Sequence, residues 1–255
     1  MVKQPTPAPT HHVGIDLAWG ERNPTGLAVL DPDGRLVHLS RVQTDDEIVA
    51  ALQPYAGPLV AAIDAPLVVA NPTGKRGAER ALDRDFARFE AATHSSNTAK
   101  PWFVPEPRGA RLARLLGLSL ADPAAPRRAL EVYPHAATVA LFGLSRTLKY
   151  KAKSGRTVES MRAELLRLTA LLGSLHAADP PLRLGPAWHD HVAGIAAATR
   201  KSELRRAEDP VDAVVCAYVA AYADRRPADV TTYADDTGAA IVTPSLPSHG
   251  ALPAT

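Results

Sequence analysis

Three short apolar runs open the chain and limit what it can fold into. They cover residues 12–19, 25–31 and 35–41, and the turn sequence DPDG at 31–34 separates the last two. Short apolar runs separated by turn residues are typical of strands joined by hairpins. The sequence therefore predicts three meandering, antiparallel strands at the start of the domain.

Further along the chain, strands alternate with helical segments. Residues 59–64 and 129–133 have the composition of buried strands, and a proline follows closely after each. Residues 239–243 are a candidate for a last edge strand. This order predicts an α/β fold in which a mixed five-stranded sheet, with three antiparallel strands followed by parallel strands, is flanked by helices.

Capping residues mark two of the predicted helices. Thr44 precedes three acidic residues, which predicts a helix start at that point. Residues 209–222 have the clearest helical periodicity, with Asp209 as the predicted N-cap and Pro210 at the first helical position. The other predicted helices cover residues 76–92, 110–118, 158–172 and 188–199.

Length and composition indicate one globular domain. The 255 residues suffice for one large α/β domain or two small ones, and 46% of them are hydrophobic while 22% are charged. We expect a disordered leader over residues 1–11, a single domain over 12–243 with a helical insertion around 71–121, and a disordered tail over 244–255.

Composition also excludes several classes of protein. One cysteine excludes a disulfide framework and any multi-thiolate metal site. No apolar run approaches the roughly 18 residues that a membrane span needs, and no apolar segment of a secretory signal follows the first methionine. We therefore expect a cytoplasmic protein without a membrane partner.

Positive charge is concentrated in one part of the chain. Residues 100–156 contain eleven basic and three acidic residues, a net charge of +8, although the whole chain carries only +2. Such asymmetry favours a polyanionic partner such as nucleic acid, and a solvated basic face is the alternative. Lys149 and Lys151 of this segment, together with Lys75 and Arg76 after the 59–64 strand, are candidates for binding phosphate.

Acidic residues occupy conspicuous places in the predicted elements. Asp16 lies in the first strand, Asp64 ends the fourth, Glu131 lies in the fifth, and Asp209 and Asp212 begin the last helix. A carboxylate in an apolar strand is costly to bury unless it is paired, hydrogen-bonded or bound to metal. The alternatives are that the strand aspartates cap loops, that Asp209 is only an N-cap, and that Glu131 pairs with a neighbouring arginine.

The carboxyl ends of adjacent parallel strands meet at one edge of a sheet, where open α/β sheets bind ligands. Asp16, Asp64, Asp209 and Asp212 are therefore candidate ligands for Mg²⁺ or Mn²⁺, because these ions prefer oxygen donors. Two such ions can support phosphoryl transfer by activating water and stabilising the leaving oxygen. Asp16, Asp64, Glu131 and Asp212 are the candidate catalytic residues.

Five short motifs carry a family resemblance over roughly residues 12–225: GIDLAWG at 14–20, IDAPL at 63–67, EVYPH at 131–135, LKYK at 148–151 and DA at 212–213. With them the chain resembles the predicted ribonuclease H-like nucleases of domain-of-unknown-function family 429. The resemblance implies a ribonuclease H-like fold with metal-binding acids on the first strand, the fourth strand and the last helix. These map to Asp16, to Asp64, and to Asp212 with Asp209, whereas Glu131 belongs to the family's own pattern.

Three functions are consistent with these features. The first is a metal-dependent nuclease that hydrolyses DNA or RNA. The second is a nucleotide-dependent kinase or ATPase of the actin and sugar-kinase type. Ala18 argues against this function, because that class has glycine at the corresponding position. The third is a non-catalytic nucleic-acid-binding module whose acids are structural.

Overall fold

The computed structural model describes residues 9–20 and 22–247. The predicted leader and tail therefore lie largely outside the described residues, although His11 begins the first strand and Pro244 ends the last. Within the described part, seven strands are present: β1 (His11–Asp16), β2 (Thr25–Leu30), β3 (Leu36–Val42), β4 (Leu59–Ile63), β5 (Arg127–Val132), β6 (Val230–Ala234) and β7 (Ala240–Pro244).

The strands form one mixed sheet in the order β3-β2-β1-β4-β5-β7-β6. The first three strands pair antiparallel, and β1, β4, β5 and β7 run parallel to one another. The predicted α/β class and the change from antiparallel to parallel pairing are confirmed.

The predicted count of five strands is wrong. The candidate edge strand near residue 240 is β7, which lies next to β5, and β6 pairs with its far side as the true edge. Residues 230–234 were not predicted as a strand, because an exposed edge strand buries few side chains. Among these five residues only Tyr233 is buried. The short, polar VTTYA sequence thus has no apolar run to mark it.

Helices cover both faces of the sheet. Thr44 caps the first helix in a capping box with Glu47, as its sequence predicts. The described helices are α1 (Asp45–Leu52), α2 (Gly77–Phe86), α3 (Arg108–Leu115), α4 (Pro134–Phe142), α5 (Val158–Ser174), α6 (Pro186–Ala197) and α7 (Lys201–Arg225). Among these helices, none combines the length and the apolar character that crossing a membrane would require.

The last helix begins earlier than predicted. Helix α7 starts at Lys201, so Asp209 is not its N-cap and Pro210 lies inside the helix. The first turns of α7 are polar. Glu203 caps the amino end of the helix by accepting hydrogen bonds from the backbone N–H groups of residues 199 and 200. Apolar periodicity marks only the part of α7 that lies on the sheet, and this is why the prediction placed the start too late.

Two glycines bring α7 against the sheet. A Cβ at Gly14 of β1 would lie 1.9 Å from the backbone oxygen of Ala213, and a Cβ at Gly26 of β2 would lie 2.0 Å from that of Asp209. Gly26 also pairs with Asp16 across the β1–β2 ladder. The missing side chains therefore allow the acidic turn of α7 to lie beside the end of β1.

Candidate active site at the carboxyl edge of the sheet

Two aspartates lie side by side where the central parallel strands end. Asp16 is the last residue of β1, and Asp64 follows β4 directly. Ile15 pairs with Ile63 in the parallel ladder, and the Asp64 N–H donates to the Ile15 carbonyl oxygen at 2.8 Å. The two side chains are therefore neighbours at one edge of the sheet, as the pairing of β1 and β4 requires.

Helix α7 adds two acidic side chains around a single lysine. The Lys151 Nζ lies 2.5 Å from Asp212 Oδ2, 3.8 Å from Asp16 Oδ2 and 4.0 Å from Glu208 Oε1. The Tyr150 hydroxyl donates to the other oxygen of Asp212 at 2.6 Å. Strands and helix thus bring three carboxylates to the Lys151 ammonium, with Asp64 adjoining Asp16.

Glu208 is a member of this cluster that sequence reasoning missed. Glu208 and Asp212 are four residues apart in α7, so they lie on one face of the helix. Asp209, which was predicted as a metal ligand, instead accepts a hydrogen bond from Arg41 Nε of β3 at 3.1 Å. A predicted helix start at residue 201 would have placed Glu208 and Asp212 on one helix face. The interpretation of Asp209 as the N-cap left Glu208 outside the predicted helix.

Negative charge exceeds positive charge in the cluster. Burial raises the pKa of Asp16 to about 7, opposed by Lys151 and increased by Asp212. Burial likewise raises the pKa of Glu208 to about 8, and burial together with the charge of Asp16 raises that of Asp64 well above its ordinary value. Burial would lower the pKa of Lys151, but the carboxylates outweigh it and raise that pKa.

One carboxylate oxygen of the cluster, Glu208 Oε2, is buried without a hydrogen-bond partner, and Asp212 Oδ2 is buried against the Lys151 ammonium. An all-oxygen donor set with one unpartnered atom and excess negative charge fits the chemistry of a hard divalent ion. In the described part of the chain, however, no group of three or more His, Cys, Asp or Glu side chains is arranged to hold one ion. The Lys151 ammonium lies among these oxygens instead.

Glu131 and Arg76 form a buried ion pair next to the cluster. The Glu131 carboxylate accepts hydrogen bonds from the Leu67 N–H at 2.9 Å and from both terminal nitrogens of Arg76. Arg76 also donates to Glu79 and to the carbonyl oxygen of Val68, and its side chain is only 3% exposed. These contacts hold the segment after Asp64 in place.

This network differs from the roles predicted for its members. Arg76 was predicted to bind substrate, but its guanidinium is buried and paired with Glu131 and Glu79. Glu131 was predicted to be catalytic, and its oxygens are engaged by Arg76 and the backbone. Lys75, another predicted phosphate ligand, pairs with Asp83 and does not line the cavity described next.

An open cavity of about 410 Å³ connects the acids to part of the basic segment. Asp16 and Asp64 lie on one side of it, and Lys149 pairs with Glu90 at 2.6 Å on another. The basic residues that line the cavity are Arg76, Lys149, Lys151, Lys153 and Arg156. Apart from the buried Arg76, all of them belong to the loop over residues 145–156, which lies between α4 and α5 and is called the 145–156 loop below.

The rest of the +8 segment is partly structural. Arg108 donates to Asp45 and to the carbonyl oxygens of Ala18, Gly20 and Gln43, so its charge is used within the fold. Arg127 donates to three backbone carbonyls, and Arg128 pairs with Asp224. Of the lysines and arginines in the described part of the +8 segment, those that line the cavity therefore all belong to the 145–156 loop.

A buried histidine also lines the cavity. His135 Nδ1 lies 3.1 Å from Thr147 Oγ1, and its ring lies 5.7 Å from that of Tyr150. Burial lowers the pKa of His135 to about 4 despite the nearby charge of Asp212, which opposes the shift. At neutral pH this side chain is an uncharged hydrogen-bonding group.

The fold and this cavity define an α/β protein with an acidic cluster that opens toward a basic loop. Residues 14–237 match the family model described as "Protein of unknown function (DUF429)", and the chain belongs to that family. The matched range includes every acidic residue of the cluster. Neither a curated protein nor a solved structure matches the chain.

Proposed function

We propose that the protein is a metal-dependent nuclease with a ribonuclease H-like fold. The observation that carries the proposal is one cavity in which Asp16 and Asp64 face the basic residues Lys149, Lys153 and Arg156. A phosphodiester needs cationic groups to bind its charge, and its hydrolysis benefits from acids that hold a divalent ion. The change from three antiparallel strands to parallel strands is also the pattern that the family resemblance implies.

Asp16, Asp64, Asp212 and Glu208 would hold Mg²⁺ or Mn²⁺ once the Lys151 ammonium, which lies among three of these carboxylates, moves aside. When bound, such an ion lowers the pKa of a water molecule and stabilises the leaving oxygen. Tyr150 fixes one oxygen of Asp212 and so limits its rotation. In the proposed reaction, the 145–156 loop binds the phosphate backbone and holds the scissile bond near the carboxylates.

The experiment is a cleavage assay with labelled single-stranded, duplex, hybrid and branched nucleic acids in Mg²⁺ or Mn²⁺. We expect the wild type to cleave at least one substrate and Asp16→Asn to abolish cleavage. Asp190→Asn is the matched control, since Asp190 is exposed on α6 outside the cavity. Equal residual activity of wild type and Asp16→Asn on every substrate would overturn the proposal.

A further inference from the structure

An exposed tryptophan lies beside the mouth of the cavity. Trp102 is 51% exposed, and its ring centroid lies 6.2 Å from that of Trp19. Trp19 lines the cavity together with Asp16, which it follows by three residues. The two indoles therefore continue the wall of the cavity outward onto the surface.

The surrounding residues hold the Trp19 ring in place. Trp19 packs edge-on against the buried Phe103, with ring centroids 5.2 Å apart, and the Lys100 ammonium lies 5.5 Å from its ring centroid. Arg108 Nη1 donates to the Ala18 and Gly20 carbonyl oxygens on either side of Trp19. Trp19 is thus held in place, and it supports one side of the Trp102 ring, which reduces the entropy lost when a ligand binds.

We propose that the exposed ring of Trp102, which packs against Trp19 at an interplanar angle of 59°, forms a stacking shelf for an unpaired nucleobase. The choice of ligand rests on the proposed function, which directs a phosphate backbone to the adjoining cavity. An exposed aromatic face beside cationic side chains is the arrangement that binds single-stranded nucleic acid, because a base stacks on the ring while the cations bind the backbone. Lys100 at the shelf and Lys153 in the cavity supply this charge.

The shelf selects single-stranded over duplex nucleic acid. In a duplex the faces of the bases are covered by their neighbours, so a base must be unstacked before it can contact Trp102. The substrate class that follows is single-stranded DNA or RNA, or a strand with an unpaired segment.

The test is fluorescence anisotropy of labelled single-stranded and duplex oligonucleotides with the full chain in EDTA, where cleavage is suppressed. We expect Trp102→Ala to weaken single-strand binding by about 5- to 150-fold, the range that follows from typical base-stacking energies. Trp102→Phe should restore most of the affinity, and duplex binding should not change. Leu115→Ala is the control, because Leu115 is similarly exposed at 49% but has no aromatic ring on which a base could stack.

Tryptophan emission gives an independent readout. The chain has three tryptophans, and the third, Trp188, is buried in α6. A stacked base should quench the emission of the wild type, and Trp102→Phe should remove most of this quenching. A merely structural role of Trp102 would leave the quenching in place.

The shelf and the proposed function can fail separately. Unchanged single-strand affinity in Trp102→Ala, an equal loss for duplex, or no single-strand binding by the wild type would overturn the shelf, whereas cleavage that depends on Asp16 would still support the nuclease. Binding that depends on Trp102 without cleavage of any substrate would support the shelf and overturn the nuclease.

Discussion

Replacing Asp16 by asparagine should stabilise the metal-free protein at alkaline pH. The pKa of Asp16 is raised to about 7, chiefly by burial and then by the neighbouring carboxylates against the opposing effect of Lys151. A raised carboxyl pKa means that the fold disfavours the ionised form. Above pH 7, the ionised Asp16 therefore lowers the free energy of unfolding of the wild type, whereas a neutral asparagine does not.

The size of this effect follows from the shift. The ordinary pKa is 3.8 and the folded value is about 7, and each pK unit corresponds to about 1.4 kcal/mol. Asp16→Asn should thus raise the free energy of unfolding by up to about 4 kcal/mol at pH 8. The gain should shrink as the pH falls from 7 toward 4, because Asp16 then binds a proton in the folded chain while it stays ionised in the unfolded chain.

Urea denaturation in EDTA at pH 5 and pH 8 measures the effect. Asp190→Asn, an exposed change on α6, should leave the free energy of unfolding unchanged at both pH values. Adding Mn²⁺ at pH 8 should stabilise the wild type more than Asp16→Asn, because the ion compensates the ionised carboxylates. A destabilised Asp16→Asn at pH 8 would refute the conclusion that the cluster lacks positive charge.

Three further variants test the surroundings of the cluster. Glu131→Gln should lower the free energy of unfolding by about 3 kcal/mol or more in urea denaturation, since it leaves the Arg76 charge buried without full compensation; a loss no larger than that of a surface variant would contradict the structural role. Gly14→Ala should destabilise by about 3 kcal/mol or more, because its Cβ would lie 1.9 Å from a backbone oxygen of α7, whereas Gly57→Ala, with open space around it, should be neutral in thermal unfolding. Calorimetry should detect Mn²⁺ binding to the wild type and a loss of at least ten-fold in affinity for Asp64→Asn, and equal affinities would exclude Asp64 as a ligand.

The sequence predicted the centre of the fold better than its edge. The strands β1 and β4 are apolar runs buried on both faces, and the positions of Asp16 and Asp64 at their ends follow from parallel pairing. Strand β6 could not be predicted in the same way because it is an exposed edge strand of mostly polar residues. Helix α4 was not predicted, because Pro134, which follows shortly after β5 and marks the end of a strand, is also the first residue of the helix.

Pairings that are distant in the chain decided the roles of the charged residues. Arg76 was predicted to lie near the Asp64 strand. The sequence around Arg76 does not indicate, however, that its guanidinium pairs with Glu131, which is 55 residues away. The same holds for Lys151, whose ammonium reaches Asp212 on the last helix. Local sequence gives the chemistry of these side chains, and only the packing of the loop, the sheet and α7 gives their partners.

The register of α7 shows how one error in an element boundary propagates to the site. A helix that starts at 209 makes Asp209 an N-cap and leaves Glu208 outside the helix, so that Asp209 becomes the natural companion of Asp212. Because α7 begins at Lys201, Glu208 lies one turn before Asp212 on the face toward Lys151, and Asp209 turns toward Arg41. Either helix start brings two carboxylates to the end of β1, so the acidic character of this turn was predicted correctly. The identity of the second carboxylate was not, because it depends on where the helix begins.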